Sequence, residues 1–569
     1  MPSETRESLT QKRGTTKRRI TNLVKKIEQL VQKAEPSAII FGWVLFGNVS
    51  SRQSTSEVTT LHASTSIPSC EETLQKFWTL EEPPKAKFFL SPLDKLVVQD
   101  FEAHHKREET GRFIVKLPLK PQRPTLGKSR PQALRRLLSL ERRLQHDDQF
   151  SDYAKVINEY LTSGHAERVP GEDLKKPPSD SFYLAHHAVY KESATTPLRV
   201  VFDGSMKSTS GLSLNDQLLV GPTVHPPLND VHVCFRKHLY VLTTDVSKMY
   251  RAVTLAPEDR DYHRLLWRDK PGDPITDYRM TRVTFGIASA AFLAINSVLR
   301  VAEEKKFELP LAVKTVKESF YVDDGLPSVE TKREALTLFH QLQDLFNRGA
   351  FKLHKWDSNS PEVLNSIPSE IRSTKTLSIS GNSDNFVKAL GIEYSSSQDY
   401  FRFSPPNWLQ EESPITKRAV LSDSAKIFDP LGFISCVTIV VKIIFQKLWE
   451  RGTTWDEPLP PDFQRDGLDW RMQLSEISAL RIPRCSAPVN VQIVDRQLIN
   501  CFSDASEKAN CFVLYVTSID TAGSVYMSLA LGKTRVAPLK KVTLPRLLRS
   551  SFVRATYEAS SRNPVHSYM

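Results

Sequence analysis

The sequence has few cysteines, and none of them are paired at metal-binding spacing. Its 569 residues include six cysteines, and no two of these are separated by two residues. Neither a structural zinc site nor a disulfide framework is therefore indicated. Scattered cysteines of this kind fit a protein of a reducing compartment.

Long hydrophobic runs are also missing. The N-terminus is polar and lacks the apolar segment of a secretion signal, and the most apolar run, Cys436–Phe445, is interrupted by Lys442. We therefore expect an intracellular protein of the cytoplasm or nucleus that is not secreted and has no membrane partner.

Basic residues exceed acidic ones. The chain contains 77 Lys and Arg against 65 Asp and Glu, a formal net charge of +12. Otherwise the composition is ordinary, with 40% apolar and 25% charged residues, which excludes wholesale disorder and predicts several globular domains. The positive excess favours a polyanionic partner, with nucleic acid as the first candidate.

One basic segment lies between Lys106 and Arg143. Its side chains suit either a surface that faces phosphates or an ordinary basic helix face, and the sequence leaves both interpretations open. The residues concerned are Lys116, Lys120, Arg123, Lys128, Arg130, Arg135, Arg136, Arg142 and Arg143.

The most informative residues are the adjacent carboxylates Asp323 and Asp324 in the segment SFYVDDGL. Neighbouring carboxylates repel each other unless a cation lies between them. A polar Asp-Gly hairpin turn is the alternative interpretation. Upstream, Tyr240–Leu242 predict a buried strand that leads to Asp245. Carboxylates from neighbouring strand ends can hold the two metal ions of in-line phosphoryl transfer, and these three aspartates would supply such a set.

Seven motifs, in this order, resemble the reverse transcriptase of BEL/Pao LTR retrotransposons. The resemblance covers most of the chain. The motifs are HHAVYKESATTPLRVVFDGSMKSTSGLSLNDQLLVGPTV (186–224), YVLTTDVSKMYRAV (240–253), VTFGIASAAFLA (283–294), FYVDDGL (320–326), FKLHKW (351–356), LGI (390–392) and AKIFDPLGFI (425–434).

The resemblance implies an α+β fold. A right-hand polymerase, with fingers, an antiparallel-sheet palm and a helical thumb or connection, would be followed by a partial RNase H-like α/β domain. The implied activity is that of an RNA-directed DNA polymerase, which transfers nucleotides to a primer 3′-hydroxyl. Its implied partners are an RNA or DNA template with a primer, and deoxynucleoside triphosphates. The implied cofactor is Mg²⁺ in a two-metal site, with Mn²⁺ as the alternative; the oligomeric state stays open.

The resemblance also assigns the catalytic and metal-binding role to Asp245, Asp323 and Asp324. Tyr250 matches the aromatic residue that excludes a ribose 2′-hydroxyl, although a core tyrosine is the alternative. Arg199 resembles the arginine that contacts the incoming triphosphate, a task suited to a permanently charged group with several donors.

Four further residues are implied to bind the nucleotide. Lys191 is a candidate companion of the triphosphate arginine. Phe285 and Gly286 match a segment that holds nucleotide and template, where glycine permits close backbone approach. Lys355 matches a cation that protonates pyrophosphate, and a surface lysine is the alternative.

Two positions depart from the family pattern. Gly325 stands where the family usually has leucine after the aspartate pair, and Ala291 stands where it usually has proline. We expect Gly325 to loosen the hairpin, Ala291 to loosen a loop, and activity to be reduced.

The C-terminal segment resembles the first strands of an RNase H domain, with Asp504 as its first metal-binding carboxylate. The next family motif carries a glutamate where this sequence has Leu548. We therefore expect a truncated RNase H remnant without activity.

Upstream, residues 5–35 resemble a Gag-like region, and IIFGWVLFG resembles the end of a retropepsin-like protease. No Asp-Thr-Gly or Asp-Ser-Gly triplet precedes it, so we expect no protease activity. The predicted division is 1–37 basic helical Gag-like remnant, 38–50 protease tail, 51–70 linker, 71–180 basic N-terminal extension, 181–400 fingers and palm, 401–485 thumb or connection, and 486–569 truncated RNase H-like domain.

Two alternatives remain. The first is a catalytically inactive transposon-derived protein that keeps only nucleic-acid binding. The second is a gene fragment that does not fold stably, because a shortened third domain would leave strand edges unpaired.

Overall fold

The computed structural model of the protein describes residues 90–146, 149–190, 198–373, 386–404, 415–487 and 493–561. The predicted segments 1–37, 38–50 and 51–70 lie outside these ranges. Among the helices within them, none has both the length and the apolar character needed to cross a membrane.

Helices form the larger part of the described regular structure. They are α1 (Pro92–His104), α2 (Arg130–His146), α3 (Phe150–Thr162), α4 (Leu214–Gln217), α5 (Leu228–Phe235), α6 (Ala290–Glu304), α7 (Pro310–Ser319), α8 (Lys332–Arg348), α9 (Pro361–Asn365), α10 (Lys417–Ala425), α11 (Ser435–Glu450), α12 (Pro461–Leu474) and α13 (Leu544–Ser561).

The strands are mostly short until the C-terminal region. They are β1 (Lys106–Arg107), β2 (Phe113–Val115), β3 (Ala166–Arg168), β4 (Ala185–Tyr190), β5 (Leu198–Asp203), β6 (Tyr240–Val246), β7 (Thr254–Leu255), β8 (Arg264–Trp267), β9 (Thr276–Met280), β10 (Phe320–Tyr321), β11 (Asp324–Gly325), β12 (Ser328–Val329), β13 (Leu353–Ser358), β14 (Phe386–Ala389), β15 (Ile392–Ser395), β16 (Tyr400–Arg402), β17 (Ile482–Pro483), β18 (Ile493–Ala505), β19 (Ala509–Asp520) and β20 (Val525–Val536).

The centre of the palm is an antiparallel sheet built around β6, here called the palm sheet. Strand β6 pairs with β11 and β12 on one side and with β13 on the other, and β10 pairs with β11. Val241, Leu242 and Val246 of β6 are buried, as expected for a strand covered on both faces. Its buried apolar residues hold β6 in place and leave Asp245 near the strand end.

A β4–β5 hairpin lies beside this core and is covered by helices α2 and α3. Alternate residues of β4 face opposite sides, so His186 is buried and His187 is exposed. The imidazole of His186 lies 2.6 Å from the Tyr153 hydroxyl and 3.0 Å from the Leu266 carbonyl oxygen. His186 is therefore a structural residue.

A four-stranded sheet of β14, β15, β16 and β17 follows the palm. Its core is shared with α5 and β6 through Phe235, Val241, Tyr394 and Phe401. The fully buried Arg484 guanidinium forms an ion pair with Asp399 at 2.7 Å. The same group donates hydrogen bonds to carbonyl oxygens at the end of α5, and so it ties this sheet to the palm.

The C-terminal sheet consists of the long antiparallel strands β18, β19 and β20, against which α13 packs. Helices α10–α12 occupy the segment that the sequence predicted to be mainly helical, and β18 and β19 occupy two predicted strands. The predicted mixed α and β class is thus confirmed, including the antiparallel sheet that carries the three aspartates.

The Asp-Pro-Leu-Gly segment before α11 joins these helices to the C-terminal sheet. The backbone N–H of Gly532 donates to the Leu431 carbonyl oxygen at 2.8 Å, and a Cβ at Gly432 would overlap the Gly532 carbonyl. The Asp429 carboxylate accepts the N–H groups of Phe433 and Ile434 at 2.9 and 2.8 Å. This motif therefore fixes the start of α11 against β20.

Candidate active site

The three predicted catalytic aspartates meet at one end of the palm sheet. Asp324 of β11 and Asp245 of β6 are directly opposite each other in the antiparallel register. Asp323 immediately precedes β11, and its carbonyl oxygen accepts the Val246 N–H at 2.8 Å. The hairpin between β10 and β11 is thereby closed onto β6, which brings all three carboxylates to the same corner.

The electrostatics of this corner are unfavourable in the absence of a cation. Burial, together with the charges of Asp323 and Asp245, raises the pKa of Asp324 to about 7. Burial and Asp245 also raise the pKa of Asp323, and the charges of Lys355 and Arg199 oppose that rise. Partly desolvated carboxylates at this density attract a cation.

Lys355 lies against the carboxylates. Its ammonium group is 2.8 Å from Oδ2 of Asp245, and the ring Nδ1 of the preceding His354 is 2.9 Å from the Asp245 carbonyl oxygen. Lys355 and Val322 both adopt left-handed backbone conformations, with φ of 55° and 57°. Such conformations are costly for residues other than glycine, and here both occur beside the aspartates.

The donor set suits a hard divalent cation, because Mg²⁺ prefers carboxylate oxygens. Among the described residues, however, no group of three His, Cys, Asp or Glu side chains is arranged so that it could hold a metal ion. The Asp245 carboxylate is instead paired with the Lys355 ammonium. A metal ion at Asp245 would therefore have to bind through Oδ1 or displace this lysine from Oδ2.

Tyr250 lies next to the carboxylates, in a short 3₁₀ turn, Met249–Ala252, that follows β6. Its ring packs edge-to-face on Phe285, with 4.6 Å between the ring centroids. Burial and the neighbouring Asp323 raise the pKa of the Tyr250 hydroxyl. The ring is partly buried and packs against the main core, with Asp323 nearby, so its role beside a deoxynucleotide and the core alternative both stay predictions.

Gly286 fits tightly against the base of the β4–β5 hairpin. Its φ is 89°, and a Cβ there would overlap the carbonyl oxygen of Phe202. The sequence singled out this glycine because it permits close backbone approach, and the structure shows such an approach to Phe202.

Asn215 is a functional candidate that the sequence did not single out. Its amide donates to the Gly286 carbonyl oxygen at 3.1 Å and to the Ser205 hydroxyl at 2.9 Å, and its Oδ1 accepts the Ala288 N–H at 2.9 Å. One side chain thus fixes the Phe285–Ala288 segment beside the aspartates. Asn215 lies within the motif at residues 186–224. No local sequence pattern indicates that its side chain bonds a segment more than 70 residues away.

Of the two residues predicted to contact the triphosphate, only Arg199 lies within the described residues. Arg199 lies on β5, exposed, and its charge acts on Asp323. Lys191 lies outside the described residues. Arg199 therefore stands near the carboxylates, and the role of Lys191 stays a prediction.

The two family departures have physical explanations that differ from those we expected. A Cβ at Gly325 would lie 2.6 Å from the ring of Phe320, so the glycine accommodates a buried aromatic ring, and its effect on the flexibility of the hairpin stays a prediction. Ala291 is not in a loop, because α6 already begins at Ala290. The expected loosening of a loop at Ala291 was therefore wrong.

Asp504 lies far along the chain, near the end of β18. Its side chain is exposed and accepts the N–H of the next residue, Ala505, at 2.7 Å. Its cross-strand neighbour is Cys511, not a second carboxylate. Leu548, at the position of the family glutamate, is 41% exposed on α13. The structure thus brings no other predicted site residue to Asp504.

Comparison with known proteins relates this architecture to retroelements. Residues 416–561 match the family model described as the Pao retrotransposon-like RNaseH-like domain. The match spans both α10–α12 and the C-terminal sheet, and so it crosses the domain boundary predicted between residues 485 and 486. That boundary stays a prediction. No curated protein matches the sequence.

Two solved structures show a weak likeness. One is the foamy viral protease-reverse transcriptase dRH in complex with double-stranded DNA, with 13% identity, a TM-score of 0.44, and coverage of 89% of this chain and 75% of that one. The other is the foamy viral protease-reverse transcriptase in complex with an RNA/DNA hybrid, with 14% identity and a TM-score of 0.45; here the match covers 89% of this chain and spans 57% of that one. The predicted resemblance to a Pao-type retroelement polyprotein is confirmed by the family match at residues 416–561.

Proposed function

We propose that this protein is an RNA-directed DNA polymerase of the BEL/Pao type, which extends a primer on a nucleic-acid template. The observation that carries the proposal is the cross-strand pairing of Asp245 with Asp324, beside Asp323, at one end of an antiparallel sheet. The family match of residues 416–561 supports the same assignment from a separate part of the chain.

The residues around the carboxylates have chemistry that suits this reaction. Asp245, Asp323 and Asp324 would hold Mg²⁺, which supplies activation of the primer hydroxyl and charge neutralisation at the phosphates. Arg199 can bind phosphate oxygens with several donors at once. The Tyr250 ring, supported by Phe285, provides a rigid wall against which the sugar of a deoxynucleotide would pack.

Lys355 has two roles in this proposal. Without substrate it neutralises Asp245 through the 2.8 Å ion pair. If the aspartates held a cation and this ion pair were released, the Lys355 ammonium would be able to donate a proton to the leaving pyrophosphate.

A second candidate function is nucleic-acid binding without polymerisation. The observation that favours it is the same Lys355–Asp245 ion pair, together with the lack of a ready three-ligand metal group among the described residues. A lysine that is never displaced would leave a polymerase-shaped protein that only binds.

Primer extension separates the two candidates. The full chain is incubated with a labelled primer on an RNA template, Mg²⁺ and deoxynucleotides, and compared with the Asp323→Asn, Asp324→Asn double variant. The matched control is Asp269→Asn, Asp273→Asn, which removes two charges from an exposed loop. Extension by the parent and the control but not by the site variant supports polymerisation. A folded parent that binds the hybrid without extending it contradicts polymerisation and leaves the binding function.

A further inference from the structure

Eight of the nine basic residues named above for the segment between Lys106 and Arg143 fall into two groups in the structure, and Lys128 belongs to neither. Those of the first group have partners within the fold. Lys116 pairs with Glu258 at 3.2 Å, and Arg130 pairs with Asp277 at 2.9 Å. Lys120 donates to the Asp216 carbonyl oxygen at 2.7 Å, and Arg123 donates to the Tyr262 hydroxyl at 2.9 Å. These four cations are explained by structure alone.

The second group consists of Arg135, Arg136, Arg142 and Arg143, here called the arginine face of α2. All four are exposed, and within the described ranges none forms an ion pair with a carboxylate. The guanidinium of Arg142 donates to the Leu138 carbonyl oxygen of its own helix.

The acidic residues that the structure describes near this face do not neutralise it. The single acid of α2 is Glu141, which is buried and pairs with Arg268 at 2.7 Å. Asp152 at the start of α3 pairs with Lys155 at 2.8 Å. Asp147 and Asp148 follow α2 in sequence and lie outside the described residues.

The arginine face does not serve the packing of α2. The helix is anchored by its opposite side, where Ala133, Leu137, Leu140 and Leu144 are buried in the main core. These four like charges repel each other and so gain nothing from one another. Their placement is therefore not explained by the stability of the fold.

The arginine face is also separate from the candidate active site. Tyr153 of α3, the neighbour of α2, bonds His186 of β4, so these helices cover the hairpin face that carries His186. Arg199 is exposed and pairs with Val189, three residues after His186 on β4. Because successive residues of a strand face opposite sides, Arg199 projects from the hairpin face opposite to the one that carries His186. A ligand on the outside of α2 would lie across the hairpin from the nucleotide.

We propose that the arginine face of α2 binds the phosphate backbone of a nucleic-acid strand outside the polymerase cleft. The two arginine pairs are seven residues apart, about 10 Å along the helix axis. That distance equals the rise of about three nucleotides in one strand of a duplex. Guanidinium groups bind phosphate oxygens in a bidentate manner, which favours arginine over lysine for this task.

Nucleic acid is the favoured ligand over an anionic membrane. Helices that bind membranes insert an apolar face beside their basic residues. Here the apolar stripe of α2 is buried in the core, and the large apolar side chain beside the arginines, Leu138, is only 37% exposed. The arginine face can therefore offer charge but no insertion.

The test measures binding of the full-length chain to a labelled 30-nucleotide single-stranded RNA by fluorescence anisotropy at several salt concentrations, without nucleotides or metal. The α2 variant replaces all four arginines by glutamine, which keeps helix propensity. The control variant is Lys306→Gln, Lys332→Gln, Arg418→Gln, Arg451→Gln. It also removes four positive charges, but from side chains that already have carboxylate partners.

We expect the slope of log affinity against log salt to fall by about 3 in the α2 variant, because each phosphate contact on a single strand contributes about 0.7. The control variant should lose less than about 1, and an all-lysine variant of the arginine face should keep most of the slope. Thermal melting should show that all variants stay folded. Because no catalysis is measured, the test holds whether or not the protein polymerises.

Equal slopes in the α2 and control variants would overturn the proposal. A second outcome would also overturn it. If the α2 variant lost binding to vesicles of phosphatidylcholine and phosphatidylserine at 4:1 while its RNA slope equalled that of the control, the ligand would be a membrane surface. Primer extension on a short hybrid at low salt gives a further check, since the α2 variant should retain it if the cleft is separate.

Discussion

The palm sheet and the C-terminal sheet both carry an aspartate near a strand end, but the two aspartates have different neighbours. Across from Asp245 stands Asp324, with Asp323 next to it. Across from Asp504 stands Cys511, and the Asp504 side chain is exposed. The first arrangement collects negative charge in a partly desolvated corner, and the second leaves one carboxylate in water.

This difference indicates where the fold accepts a cost in stability. Burial and like charge raise the pKa of Asp324 to about 7, so ionisation of this group costs free energy in the folded state. Nothing in the packing of β6 and β11 requires that cost. The C-terminal sheet can be explained by the burial of Phe512, Leu514 and Leu531.

The largest expected effect follows from replacing one aspartate in each sheet. Asp324→Asn keeps the side-chain size and removes a charge from the palm corner, so we expect primer extension to fall by at least about 100-fold, as when an electrostatic stabiliser is removed from an active site. Asp504→Asn should leave extension within about twofold of the parent, because it lies outside that corner. Equal losses in both variants would show that the comparison of the two sheets is wrong.

The second effect is a pH dependence concentrated in one region. Within residues 182–267, burial lowers the pKa of His186, His232 and His238 to about 4 and that of His263 to about 3. His165, whose pKa burial also lowers to about 4, lies just before this region. These groups bind protons in the unfolded chain below about pH 6.5 but stay neutral in the fold. Stability is therefore complete above pH 6.5 and is lost as the pH falls towards 4. The raised pKa values of Asp259 and Asp324, about 6 and about 7, act in the opposite direction and offset part of this loss.

The net loss should reach several kcal/mol, because a pKa that folding lowers by one pH unit contributes about 1.4 kcal/mol. Hydrogen exchange at pH 7.5 and pH 5 measures it by region. Residues 182–267 should become less protected, while residues 493–561, which contain no histidine, should change little. Among the described residues neither ring nitrogen of His263 has a hydrogen-bond partner, so His263→Leu should reduce the pH dependence. Uniform loss of protection would contradict the assignment.

Local sequence patterns predicted the framework of the palm but not its fine contacts. The apolar run at Tyr240 predicted β6. The positions of Asp245 and of the Asp323–Asp324 pair at strand ends, together with the family resemblance, predicted their convergence. The ion pair of Lys355 with Asp245 and the anchoring of Gly286 by Asn215 were not predictable, since each joins residues that are distant in sequence. Whether Gly325 loosens or fits the hairpin depended on Phe320, a tertiary neighbour whose position the sequence does not give.

A third effect concerns how the C-terminal sheet is attached. Gly432 has a φ of 71°, and a Cβ there would overlap the Gly532 backbone. Because neither backbone can move aside cheaply, Gly432→Ala should cost at least about 2 kcal/mol. Gly325→Ala should cost less, because the Phe320 ring that it meets is a side chain. Denaturant titrations of both variants measure the difference, and a larger loss at Gly325 would contradict it.

The smallest effect is stabilisation by metal. If a cation relieves the repulsion among the three palm aspartates, Mg²⁺ at about ten times its dissociation constant should add about 1.4 kcal/mol, which is a few °C in melting temperature. The Asp323→Asn, Asp324→Asn variant should melt higher than the parent without metal, since the repulsion is gone, and should not respond to Mg²⁺. Asp504→Asn should respond as the parent does. A Mg²⁺ response that disappears in Asp504→Asn and persists in the palm variant would move the cation to the C-terminal sheet, because only the site that binds the metal can transmit its binding energy to the fold.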